Sequence, residues 1–120
     1  MKEYSFEKLE VWKLSTEFTL KVYEVTKDFP DAEKFGMTNQ LRRAAVSIPN
    51  NLAEGSGRTS AKDKAKFTQI AFGSLMECLN LIILSNKLHY LDDDIIGSLR
   101  NNIDIIAKKL SNLRRTQLNP

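Results

Sequence analysis

The chain has one histidine, His89, and one cysteine, Cys78, so any nucleophile–base chemistry must come from that pair. They lie eleven residues apart in different settings: Cys78 inside an apolar stretch from Leu75 to Leu84, His89 where the chain turns between two helices. A reactive thiolate needs its base within hydrogen-bond reach, and this arrangement does not supply one. The same two residues are too few for a zinc site. No Glu-x-x-His spacing occurs, which removes a di-iron carboxylate centre. Gly55-Ser56-Gly57-Arg58 has the small residues of a phosphate loop but lacks its lysine and follows no strand. These absences point to no enzyme, no metal and no cofactor. Cys78 reads as a small core residue, and a single cysteine suits a reducing compartment.

What remains for chemistry is cations, amides and hydroxyls. Between Gln40 and Arg58 a helix carries two stripes. Leu41, Ala45, Ile48 and Leu52 recur at spacings of 4, 3 and 4, which makes a core-facing seam. Gln40, Arg43, Ser47, Asn51 and Glu54 recur at 3, 4, 4 and 3 beside it, as a polar network for structure or an interface. Pro49 interrupts the pattern and is expected to bend the helix, because it removes one backbone hydrogen bond. Glu77 sits among Leu75, Met76, Cys78 and Leu79, with Gly73 four residues back, so its own helix offers no cation there. Arg43 lies 15 residues before Arg58 and Glu77 lies 17 after Ser60, nearly level in an antiparallel hairpin. An Arg43–Glu77 pair is therefore expected, across helices 2 and 3 or across a subunit boundary.

The elements that position these groups are all helical. Val11, Leu14, Phe18, Val22, Val25 and Phe29 form one seam of a first helix, widened by Leu9, Trp12, Thr16, Leu20 and Tyr23. Phe29-Pro30 stops it, since a residue before proline avoids the helical region. The second helix starts between Ala32 and Thr38 and ends at Gly55-Ser56-Gly57, whose glycines suit a left-handed cap. Ser60 and Asp63 resemble a capping box that opens a third helix to about Leu88. Its inward residues are Phe67, Ile70, Ala71, Ser74, Leu75, Cys78, Leu81, Ile82 and Leu88. Asp92, Asp93 and Asp94 favour the start of a fourth helix, whose heptads run Ile96, Leu99, Ile103, Ile106, Leu110 and Leu113. No segment alternates with period two for long enough to make a strand. The expected fold is all-α: an up-down-up-down antiparallel four-helix bundle over residues 1–120, helix 2 bent at Pro49.

Composition agrees with one ordered domain, at 42% apolar and 28% charged residues. The start, Met1-Lys-Glu-Tyr-Ser-Phe-Glu-Lys, reaches charges at once, so no secretory signal is expected. The apolar run Leu79–Leu84 is too short to cross a bilayer. A cytoplasmic protein with no membrane association is expected.

Antiparallel order gathers distant charges. The start of helix 1, the end of helix 2, the start of helix 3 and the end of helix 4 share one pole. That pole holds eleven basic against five acidic side chains, a net of +6; the other holds three against seven, a net of −4. Helix C-termini favour Lys and Arg on their own account. That explains helix 4 but not Arg58, Lys62, Lys64 and Lys66 around the start of helix 3. With Lys108, Lys109, Arg114 and Arg115 they form the candidate nucleic-acid-binding set, acting on phosphates with counterion release. No aromatic residue is interleaved with them in sequence, so reading of shape and backbone is expected rather than base stacking.

The chain resembles the four-helix-bundle family encoded in intervening sequences of bacterial 23S ribosomal RNA genes, whose architecture is shared by the accessory variability determinant of diversity-generating retroelements. The resemblance covers nearly the whole chain. It rests on Leu9-x-Val11-Trp12, Phe29-Pro30-x-x-Glu33-x-Phe35-Gly36, Gln40-x-x-Arg43-Ala44 and Ser47-Ile48-Pro49. Asn51-Leu52-Ala53-Glu54-Gly55-x-x-Arg58 and Ala71-x-Gly73-Ser74-x-x-Glu77 complete it. Met37 and Cys78 stand where the pattern has leucine, both size-tolerant apolar exchanges. The resemblance implies a homopentameric ring, no established enzymatic activity, and a suspected association with nucleic acid. Two functions follow: an oligomeric RNA- or DNA-binding scaffold, or a protein-interaction adaptor that holds a partner through the helix 2 stripe and exposed apolar residues. A small-molecule-binding bundle has little support, because no convergent polar set falls in the expected core.

Overall fold

The computed structural model describes every residue from Met1 to Pro120. Four α-helices make up the chain: α1 Glu10–Thr26, α2 Met37–Ser56, α3 Ala61–Lys87 and α4 Asp93–Leu118, with no strand. Short 3-10 turns at Ser5–Lys8 and Asp31–Glu33 lead into α1 and α2. Neighbouring helices pack in chain order and α4 returns against α1, which closes the bundle.

Local chemistry sets most of the ends. Ser60 Oγ accepts from the Asp63 amide at 3.0 Å and opens α3; Asp92 Oδ1 accepts from the Ile95 amide at 2.8 Å and opens α4. Each bond satisfies an amide that has no partner inside the helix. The left-handed cap falls on neither Gly55, which is still inside α2, nor Gly57, at φ −85°; no glycine has a positive φ. It falls on His89, at φ 65°, past the end of α3. There the Tyr90 amide reaches the Ser85 carbonyl at 2.8 Å and the His89 amide reaches Asn86 at 2.9 Å. That pair of bonds is a Schellman motif built without its usual glycine. Gly55 is instead needed for space: a Cβ there would lie 2.9 Å from Phe67 Cβ, so it lets α2 and α3 approach.

Pro49 does not end α2, which runs through it unbroken. The carbonyl it strands, that of Ala45, accepts from Thr19 Oγ1 of α1 at 3.2 Å. The same hydroxyl also donates to Ser15 within α1 at 2.8 Å. A neighbouring helix thus takes up the acceptor left by the proline.

The seams of α2 and α4 are buried as expected: Leu41, Ala45, Ile48, Leu52, Leu99, Ile103, Ile106 and Leu110 form the centre of the core with Phe18, Val22, Leu75 and Ile82. Two residues expected to widen the first seam and two expected inward on the third helix are not covered. Leu20 is 71% exposed, and Tyr23, Ile70 and Leu88 also face out. Leu20, Tyr23 and Ile70 lie on helix flanks, where one step turns a side chain by about 100°, past the edge of a core-facing stripe; Leu88 is the cap residue past the end of α3. α3 is long and apolar enough to cross a membrane by length and composition, although the run Leu79–Leu84 alone is not. In this fold it is the central helix, packed on both α2 and α4. Only 39% of its apolar window is covered within one chain.

Candidate functional site

The four stretches expected to share a pole do meet. Lys109 Nζ of α4 contacts Glu10 of α1 at 3.2 Å, and Thr68 of α3 donates to Gln117 of α4 at 2.7 Å. One cleft is lined by Ser5, Leu9, Gly55, Lys64 and Leu113, drawn from the N-terminal turn and from α2, α3 and α4. The opposite end is joined by Tyr90 donating to Glu33 at 2.8 Å and by the packing of Phe29 on Tyr90. The molecule is 44 Å along its longest axis, several Debye lengths at physiological salt, so each pole acts on a ligand independently of the other.

The eight candidate phosphate-contacting cations of the basic pole are not equivalent. Arg58 pairs with Glu54 at 3.2 Å and lies over the Phe67 ring, 4.7 Å from its centroid. Lys109 is engaged with Glu10, and Lys64 is half-buried. Lys62, Lys66, Lys108 and Arg114 are exposed and form no ion pair. Arg115 is exposed too, and its guanidinium donates only to the neutral Asn112 side chain, at 3.2 Å. The unpaired members of the α4 group gather along a groove between α3 and α4. Two adjoining clefts share Phe72, Ser111 and Arg115. One adds Gln69 and Arg114, the other Lys108 and Asn112. No carboxylate lines either cleft.

This corrects the expectation about aromatic residues. None falls within the clusters of candidate cations in sequence, although Phe67 directly follows Lys66; the fold brings Phe72 to Arg115 and Lys108, and Phe67 under Arg58. Tyr4, 59% exposed, lies beneath Lys2 at 5.3 Å. The only signal for Phe72 was its place one residue after the inward Ala71, on the flank of the α3 seam. Ser111 and Asn112 carried no signal in the sequence.

The Arg43–Glu77 pair is not formed within the chain. Both residues are exposed and neither has an ionic partner. The polar contact across α2 and α3 is made instead by the Ser47 and Ser74 hydroxyls, 2.8 Å apart. Two small neutral groups bridge there without the desolvation cost of burying two charges. The rest of the α2 stripe is also largely self-satisfied. Asn51 Nδ2 donates to the Ser47 carbonyl at 2.7 Å and to its hydroxyl at 3.0 Å. Glu54 takes Arg58, while Gln40 is exposed.

Cys78 is fully buried. Burial first, and the nearby Glu77 charge second, push its thiol up to about 12. It stays protonated at any physiological pH and is no nucleophile. The Tyr90 phenol is raised as well, chiefly by its hydrogen bond to Glu33. No group of three or more His, Cys, Asp or Glu side chains converges to hold a metal ion.

A family model described as 23S rRNA-intervening sequence protein matches residues 7–112. Among solved structures, the chain is similar to the crystal structure of a protein with unknown function from S23 ribosomal protein family from Bacteroides thetaiotaomicron VPI-5482. The TM-score is 0.78 at 23% identity, covering 87% of this chain and 97% of that one. No curated protein matches it.

Proposed function

The chain belongs to the 23S rRNA-intervening sequence protein family, and from that premise we propose that it is a non-enzymatic, cytoplasmic homo-oligomer that binds RNA or DNA through its basic pole. The observation that carries this reading is the gathering of unpaired cations at one end. Lys62, Lys66, Lys108, Arg114 and Arg115 are exposed there with no carboxylate neutralising them. Self-association is supported by the apolar surface that one chain leaves uncovered, including Leu20, Ile70, Leu84 and Leu88. The family resemblance makes a pentameric ring the assembly to test. Five poles on one ring would convert weak single contacts into avidity by raising effective concentration.

The test is an anisotropy titration with a structured RNA at two salt concentrations. Four neutralised phosphates predict a roughly hundredfold loss of affinity between about 50 and 200 mM salt. Replacing Lys108, Lys109, Arg114 and Arg115 by Ala should weaken binding and flatten that dependence. Absent or salt-insensitive binding overturns the reading and moves the assignment to a protein-interaction adaptor. Light scattering checks the assembly: a ring weighs about 68.5 kDa, five times the 13.7 kDa chain, and a monomer at micromolar concentration refutes it.

A further inference from the structure

We propose that the groove between α3 and α4 seats a single strand of nucleic acid, with a base on Phe72 and phosphates on Lys108, Arg114 and Arg115. This rests on the basic-pole reading and sharpens it, because a pole of cations alone does not distinguish a strand from a duplex.

Three features of the groove make the distinction. It is a shallow surface groove between two packed helices, lined from α3 by Thr68, Gln69 and Phe72. A duplex keeps its bases stacked on one another, so only an unpaired strand can lay a base face on a ring in this groove. Its two clefts share an aromatic ring, Phe72, beside a guanidinium, Arg115. Every base has a face that can stack on such a ring, whatever the sequence. The remaining groups that line it include Gln69, Ser111 and Asn112, hydrogen-bonding side chains suited to phosphate oxygens or base edges. The cations are free to act: Lys108 and Arg114 have no ionic partner, and Arg115 is held only by the neutral Asn112. Arg58 and Lys109, on the same pole, already hold Glu54 and Glu10.

The experiment uses the full chain, a fluorescent single-stranded RNA of about 12 nucleotides, within the usual range of single-strand sites, and the same sequence as a duplex. Phe72→Leu keeps an apolar side chain and removes the stacking face. It should weaken single-strand binding about tenfold and leave the duplex within about twofold. Lys108→Ala with Arg115→Ala should lower the single-strand salt slope by about 1.4, two contacts at 0.7 each. Lys62→Ala with Lys66→Ala, outside the groove, should affect both probes alike. Thermal melts show whether each variant is folded; should Phe72→Leu prove unfolded, the salt slope of the exposed Lys108/Arg115 pair decides the matter. Salt-sensitive binding that ignores Phe72 and the Lys108/Arg115 pair overturns the groove and leaves the basic pole standing. Binding to neither probe removes both.

Discussion

Replacing Thr19 with valine tests how α2 survives a proline in its interior. Pro49 has no amide to offer the Ala45 carbonyl, and Ala45 is completely buried, so the Thr19 hydroxyl at 3.2 Å is the donor on hand. Valine keeps the branched shape and removes that donor. An orphaned buried carbonyl costs about 1–3 kcal/mol. The bond is long and the hydroxyl is shared with Ser15, so the lower half of that range applies, about 1.5 kcal/mol. A 120-residue chain has an unfolding entropy near 0.25 kcal/mol/K, which converts the loss to a drop of about 6 °C in Tm. The decisive measurement is a double-mutant cycle followed by circular dichroism at 222 nm. In a Pro49→Ala background, residue 49 supplies its own amide to Ala45, and Thr19→Val should then cost no more than about 0.5 kcal/mol. A coupling of about 1 kcal/mol is expected. Equal costs of Thr19→Val in both backgrounds would refute the argument that this hydroxyl substitutes for the missing backbone donor.

Other outcomes follow from single sites. His89→Gly should raise Tm by up to a few degrees, because a left-handed non-glycine residue costs about 1–2 kcal/mol while the added unfolded-state freedom of glycine returns about 0.5–1; a lower Tm contradicts a strained cap. Tyr90→Phe should destabilise the protein at neutral pH by removing the bond to Glu33. The Tyr90 pKa is raised on folding, so its stabilisation is fully present below the unfolded value of about 10 and is lost as pH climbs through the folded one. Urea melts of wild type and Tyr90→Phe should therefore converge in strong alkali, and a constant gap argues against the linkage. Native Cys78 should not react with a thiol reagent at pH 8 and should react with one equivalent in denaturing urea; rapid native labelling contradicts its burial.

Most of the helix seams, Ser60 as a cap, the acidic start of α4 at Asp92–Asp94, and the assignment of charges to two poles could be read from the sequence. Each depends on spacing along one helix or on chain direction, and both are local or simply additive. The groove was not legible. Phe72 and Arg115 stand 43 residues apart, and neither belongs to a pattern that includes the other. Arg43 and Glu77 show the limit of axial matching within one chain: their levels agree, but rotation about each helix axis leaves both exposed and unpaired there.

Sequence by itself determined four amphipathic helices, their order and the end of the bundle to which most of the cations go. Tertiary structure alone decided which flank of each helix faces its neighbour. It gave the Ala45 carbonyl to Thr19, the α2–α3 contact to Ser47 and Ser74, and an aromatic floor to the unpaired α4 cations. The physical reason is angular. One residue along a helix turns a side chain by about 100°, so partners across helices depend on rotations that only mutual packing fixes.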